Sequence, residues 1–113
     1  MTITETIHGR VTVLSLKGNF LGEPDTTQLR QTVYQLTERG DKQVVLDLGG
    51  LKAINSSGLG VLVSALISLR KRSGDLSLAR LSDKVHALMM VTHLIRVFKV
   101  YDTVERAVTG FGQ

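Results

Sequence analysis

The chain contains no cysteine and no tryptophan, and only 4% of its residues are aromatic. Without cysteine there can be no disulfide, no thiolate metal site and no thiol nucleophile, and the chain suits a reducing compartment. With so few aromatic rings, stacking platforms for single-stranded nucleic acid are not expected. Long apolar runs are missing too. The longest, Leu59 to Leu69, is too short to span a bilayer and is interrupted by serines, so no membrane insertion is expected. The first residues, MTITETIHGRV, show no basic flank leading into an apolar run, so no signal peptide is expected and a soluble, cytoplasmic protein is. Nor is there a strong charge of one sign. The net charge is +4, and Arg70, Lys71 and Arg72 form the dense basic cluster. They fall near a predicted helix end, where cations complement the helix dipole, so they read as a solvated helix end rather than a direct nucleic-acid contact.

What is present is alternation. A chain of 113 residues, 42% of them hydrophobic, suits one domain with a substantial core. Ile3–Ile7 and Arg10–Lys17 read as strands, the second rich in β-branched residues. Gly18–Pro24 reads as a loop. Asp25 opens a helix, spaced from Gln28 as in a capping box, with Leu29, Val33 and Leu36 on one stripe and Gly40 as the closing residue. Val44–Leu48 (VVLDL) is almost wholly apolar, as expected of a strand covered on both faces. A loop follows from Gly49 to Ser56. Ser57–Arg72 reads as a helix apolar nearly all round, ended by Gly74. Leu76–Ala79 reads as a strand, Ser82–Leu94 as a helix and Val97–Tyr101 as the last strand. Asp102 and Glu105 have capping-box spacing before a short final helix through Val108. Strands alternating with helices predict an α/β domain with a largely parallel sheet. The loops after Lys17 and Leu48 then lie side by side at the carboxyl ends of strands, where such sheets carry function.

Catalytic patterns are hard to find. His8, His86 and His93 have no metal-ligand spacing, and no G-x-S-x-G elbow surrounds Ser56 or Ser57. There is no phosphate-binding GxxxxGK[ST], and Gly58-Leu59-Gly60 lacks the third glycine of a dinucleotide fingerprint. The stretch that stands out is Ile54-Asn55-Ser56-Ser57-Gly58-Leu59-Gly60. Asn and Ser are preferred helix caps, so this can be simply the start of a buried helix. Yet one cap needs one residue, and three candidates stand in a row. Gly58 and Gly60 each cost the first helical turns about 1 kcal/mol against alanine. That cost is easier to understand if another backbone must come close. A helix start also tolerates negative charge. A phosphate on Ser56 adds about −1.5 to −2 charges there. The domain itself can bear this, whereas a partner packed on the same turn would be disrupted.

Asp47-Leu48, Leu51 and the run Ile54-Asn55-Ser56-Ser57-Gly58-Leu59-Gly60-Val61-Leu62 resemble the signature loop and helix of STAS-domain anti-anti-sigma factors, or anti-sigma factor antagonists. Gly18 followed by Leu29 resembles the first loop and helix of that family. Val97-Phe98-Lys99-Val100-Tyr101-Asp102 with Val104-Glu105-Arg106-Ala107 resembles its last strand and helix. The resemblance implies a single STAS-like α/β domain over residues 1–113, with a mostly parallel mixed sheet of about five strands and about four helices. It implies a bacterial cytoplasmic regulator, monomeric when free, with no enzymatic activity, cofactor or metal. The implied partner is an anti-sigma factor that is also a serine kinase of the histidine-kinase ATPase type. Binding it releases a sigma factor, phosphorylation breaks the complex, and a serine phosphatase resets it.

The family's phosphorylated position, the first serine of its D-S-[ST]-G motif, corresponds to Ser56, with Ser57 as the second candidate. The implied partner surface comprises Glu23, Asp25, Asn55, Ser56, Ser57, Gly58, Leu59, Gly60 and Leu62. Three features depart from the family pattern. Asn55 replaces an aspartate. The loop Gly18-Asn19-Phe20-Leu21-Gly22-Glu23-Pro24-Asp25 lacks the common Gly-x-Leu-Asp form, leaving Glu23 or Asp25 as its acid. His93 stands where glycine is frequent, which calls for either a strained backbone or another turn. Two alternatives keep the fold: a scaffold subunit without a phospho-switch, and a small-ligand or nucleotide-binding domain using the helix start as an anion site.

Overall fold

A computed structural model describes residues 1–112. Five strands form one sheet in the order in which they occur along the chain: β1 (Thr2–His8), β2 (Val11–Phe20), β3 (Gln43–Ile54), β4 (Asp75–Ala79) and β5 (Lys99–Tyr101). β1 and β2 form an antiparallel hairpin, and every later pairing is parallel. The helices are α1 (Asp25–Arg39), α2 (Ser56–Lys71), α3 (Asp83–Val91) and α4 (Val104–Thr109), with a 3₁₀ turn at Leu94–Arg96. This is the α/β architecture expected from the sequence.

Strand alternation sorts the core into two layers. Leu14, Leu16, Val44, Leu46, Leu48, Leu76 and Leu78 point to the face covered by α1, α2 and α3. Val11, Val13, Val45 and Ala79 point to the other face, under Ala107 of α4. Residues Val44 to Leu48 are therefore buried on both sides, which is why that stretch reads as an uninterrupted apolar run.

Several element ends differ from expectation, each for a local reason. β3 continues through the supposed loop Gly49–Ser56 as far as Ile54, because β2 also runs on to Phe20. The two pair at Lys17↔Gly50, Gly18↔Leu51, Asn19↔Ala53 and Phe20↔Ile54. The Asp25–Gln28 capping box does not form. Pro24 occupies the cap position without a side-chain hydrogen bond, and Glu23 takes over. Its carboxylate accepts the Thr27 N–H at 2.8 Å and the Thr26 and Thr27 hydroxyls. The two bonds from Thr27, chiefly the one from its side chain, lower the Glu23 pKa. Asp25 instead pairs with the Met1 amino group at 3.3 Å.

α3 stops at Val91, short of the expected Leu94. Thr92 caps it, and His93 adopts a left-handed φ of 63° that turns the chain into the 3₁₀ segment. The glycine-like position thus keeps its glycine-like conformation without glycine, at a cost of roughly 1–2 kcal/mol. β5 begins at Lys99 rather than Val97. At α4 the cap is Thr103, whose hydroxyl accepts the Arg106 N–H at 3.1 Å, so the Asp102–Glu105 box does not form either.

Candidate functional site

The extended β2–β3 pairing sets the site. It carries Phe20 and Ile54 side by side to the carboxyl edge of the sheet, so the Leu21–Pro24 turn and the start of α2 emerge together. Asn55 locks them. Its Oδ1 accepts the Gly58 N–H at 3.1 Å, capping α2, while its Nδ2 donates to the Leu21 carbonyl at 2.8 Å. An aspartate could make the first bond but not the second, since it has no donor. The Asn55 departure therefore has a structural use: one amide ties two loops.

The two glycines differ. A Cβ on Gly58 would lie 2.6 Å from the Phe20 carbonyl oxygen and 2.7 Å from Ile54 Cγ1, so the missing side chain lets β2 pass against α2. The close approach sought at this turn comes, for Gly58, from the chain's own backbone. Gly60 has open space where a side chain would be, and it is exposed. Nothing inside the domain requires glycine there.

Ser56 and Ser57 open α2 and are both exposed. Among the described residues neither hydroxyl has a hydrogen-bond partner. Leu59 and Leu62 lie in the core, 5% and 0% exposed. That corrects the expectation that both belong to an outward surface. They hold the helix down, each contributing roughly 1.5–3 kcal/mol by burial. Gly58 is also buried. The face presented outward is made of Asn55, Ser56, Ser57 and Gly60. Of the two candidate acids, Glu23 is exposed in the adjoining turn, and the half-buried Asp25 is engaged with Met1. Beside this face runs a groove of about 410 Å³ lined by Ile54, Lys84, Leu88 and Val91. Val91 is 77% exposed and Leu21, across the junction, 49%.

One pair went unread in the sequence. Asp47 points to the α4 face of the sheet, where Arg80 binds it through Nε at 2.7 Å and Nη2 at 2.9 Å. The Gly49 N–H and the Ser15 hydroxyl complete its shell at 3.1 and 3.2 Å. A Cβ on Gly49 would sit 2.5 Å from the guanidinium carbon, so Gly49 makes room for Arg80. A lone carboxylate in the run VVLDL was the available signal, because a buried charge demands a partner. Burial pushes the Asp47 pKa up, but the Arg80, Gly49 and Ser15 hydrogen bonds outweigh it and hold the group below the ordinary aspartate value.

The chain matches the STAS domain family over residues 2–107. A Bordetella bronchiseptica protein, BtrV, provisionally named an anti-sigma factor antagonist, is 32% identical over 84 residues, which are 74% of this chain and 72% of BtrV. The crystal structure of a Thermotoga maritima protein with the same provisional name superposes with a TM-score of 0.90 at 24% identity, covering 98% of this chain and 95% of that one. The Bacillus cell-fate determinant SpoIIAA in its phosphorylated form superposes at 0.77 and 18% identity, covering 97% and 99%. The two structures show the shared fold.

Two expectations follow. Because the Asp47 pKa is lowered in the folded protein, the pair stabilises the fold above about pH 4 and loses that contribution as acid protonates the carboxylate. Arg80 is 51% exposed and can return to water, so Asp47→Asn costs about 1–3 kcal/mol by urea unfolding at neutral pH. The variant also loses part of the acid-induced decline; an identical decline in both proteins would contradict this role. Separately, Gly60→Ala raises stability by about 1 kcal/mol, whereas Gly58→Ala lowers it. Equal effects at the two positions, read from unfolding midpoints, would contradict the assignment of Gly58 to internal packing.

Proposed function

The chain belongs to the STAS domain family, and on that premise we propose that it is an anti-sigma factor antagonist switched by phosphorylation of Ser56. The observation that carries this reading is the Ser56 hydroxyl, exposed and unengaged at the first residue of a long helix whose start is clamped by Asn55. The unmodified protein binds an anti-sigma factor of the histidine-kinase ATPase type through Asn55, Ser56, Ser57 and Gly60, with Glu23 at the margin. Binding displaces the sigma factor. Gly60, bare and without an internal reason, lets the partner's backbone come close.

The switch is electrostatic. A phosphate on Ser56 projects into water at the positive end of α2, where the host domain accommodates it. A partner seated on the same turn would have to strip that charge of water, a penalty of several kcal/mol unless a counter-charge meets it. A serine phosphatase restores the binding form. The chain supplies the acceptor and its setting, and the partner kinase supplies the chemistry. The relative solved as phosphorylated SpoIIAA supports the reading, since a protein of this fold carries the modification.

Incubated with its cognate kinase and ATP, the protein becomes phosphorylated at Ser56 and Ser56→Ala does not. Ser56→Asp binds that kinase at least about tenfold more weakly than wild type, by calorimetry. Phosphate found only elsewhere by mass spectrometry overturns the site. Full-affinity binding by Ser56→Asp selects instead a scaffold role without a switch, the reading that Asn55 in place of aspartate favours.

A further inference from the structure

The molecule has a second concave feature, away from the displayed serine. α1 and α2 pack side by side over the sheet, but their outer flanks do not close. The α2 flank carries Ala65 and Ser68, too short to reach across, and a groove of about 430 Å³ remains. Val33 and Ala65 form its apolar floor and Tyr34 stands at its rim, 62% exposed. Arg30, Lys71 and Arg72 also line it, and no carboxylate does. The nearby acids are Glu38, which pairs with Arg72 at 3.2 Å, and Glu23, whose field reaches Arg30. Both members of the Arg72–Glu38 pair are about half exposed, so the pair is weak and can yield to a better anion. Lys71 has no salt-bridge partner among the described residues.

An apolar floor, an aromatic rim and an excess of cations define a chemical class. We infer that this groove binds a small amphipathic organic anion, with its apolar body against Val33, Ala65 and Tyr34 and its acidic group held by Lys71 and Arg72. The size agrees. The groove follows α1 from Arg30 to Thr37, about 10 Å of helix rise, which is short for a docked helix. The volume lies in the range of small-molecule sites, roughly 300–1,000 Å³. An arginine fork suits a carboxylate, sulfonate or phosphate, and the apolar body removes Tyr34 and its neighbours from water. The groove shares no lining residue with the Ser56 face, so this site stands independently of the proposed switch.

The test uses 8-anilinonaphthalene-1-sulfonate as an aromatic anion and N-phenyl-1-naphthylamine as its neutral counterpart. The anion binds saturably, one per chain, and shifts backbone amides in residues 30–37 and 64–72 of a ¹⁵N correlation spectrum. Its affinity falls as salt is raised. The neutral analogue binds about tenfold more weakly, the scale of one lost charge-assisted hydrogen bond. Lys71→Gln combined with Arg72→Gln weakens the anion by a similar factor, and Ser68→Phe, which fills the groove, removes binding. If a variant fails to fold, the comparison of charged and neutral probes on the unaltered protein decides. Equal binding of both probes, shifts centred on Ile54 and Val91 instead, or no saturation would overturn the inference.

Discussion

The end of this molecule that displays Ser56 depends on the contact between the last residues of β2 and the first turn of α2. Phe20 and Ile54 are paired neighbours, and the Phe20 carbonyl lies so near Gly58 that no side chain fits there. Asn55 closes the same junction with one amide, accepting from α2 and donating to the Leu21 carbonyl. Backbone packing and two hydrogen bonds thus fix the helix start without using either serine hydroxyl. That division of labour leaves Ser56 available. If Ser56 were itself the cap, modifying it would cost the helix its first turn, roughly 0.5–2 kcal/mol. Because Asn55 does that work, a charge on Ser56 leaves the internal bonding of the junction intact.

Much of this architecture is legible in the chain. The alternation of β-branched runs with helical stripes predicts the α/β sheet, and the doubly covered run Val44–Leu48 predicts a central strand. Boundaries were less legible, because they are decided by partners distant in sequence. Nothing local extends β3 through Gly49-Gly50; the neighbouring β2 does, by offering pairing partners out to Phe20. The same holds for caps. Asp25 and Asp102 sit at capping-box spacing, yet Glu23 and Thr103 do the capping, since the direction of chain entry decides which side chain can reach the free N–H groups. The Asp47–Arg80 pair is another non-local term. The sequence shows a charge that needs company but not where the company comes from.

The site was legible in part. The exposure of Ser56 and Ser57 matches the reading of the Asn-Ser-Ser-Gly stretch as a helix start. The two leucines expected beside them proved to be core, as helical geometry requires of positions three and six residues into a helix packed on a sheet. Gly58 and Gly60 look alike in sequence and have opposite surroundings. Only the structure separates a glycine needed for packing from one that leaves a surface open. The cations of the α1–α2 groove read as a helix end in the sequence, and their convergence with Arg30 and Tyr34 needs the helix pairing to be seen.

The central claim is that charge at Ser56 is harmless to the fold and disabling to the interface. The most direct measurement places phosphoserine itself at position 56 and follows two quantities in the same preparation: the urea unfolding midpoint and the affinity for the anti-sigma factor. The account predicts a midpoint within error of the unmodified protein and an affinity reduced by at least about two orders of magnitude, as an unpaired buried charge demands. A lowered midpoint with affinity falling only in proportion, or affinity unchanged, would contradict it.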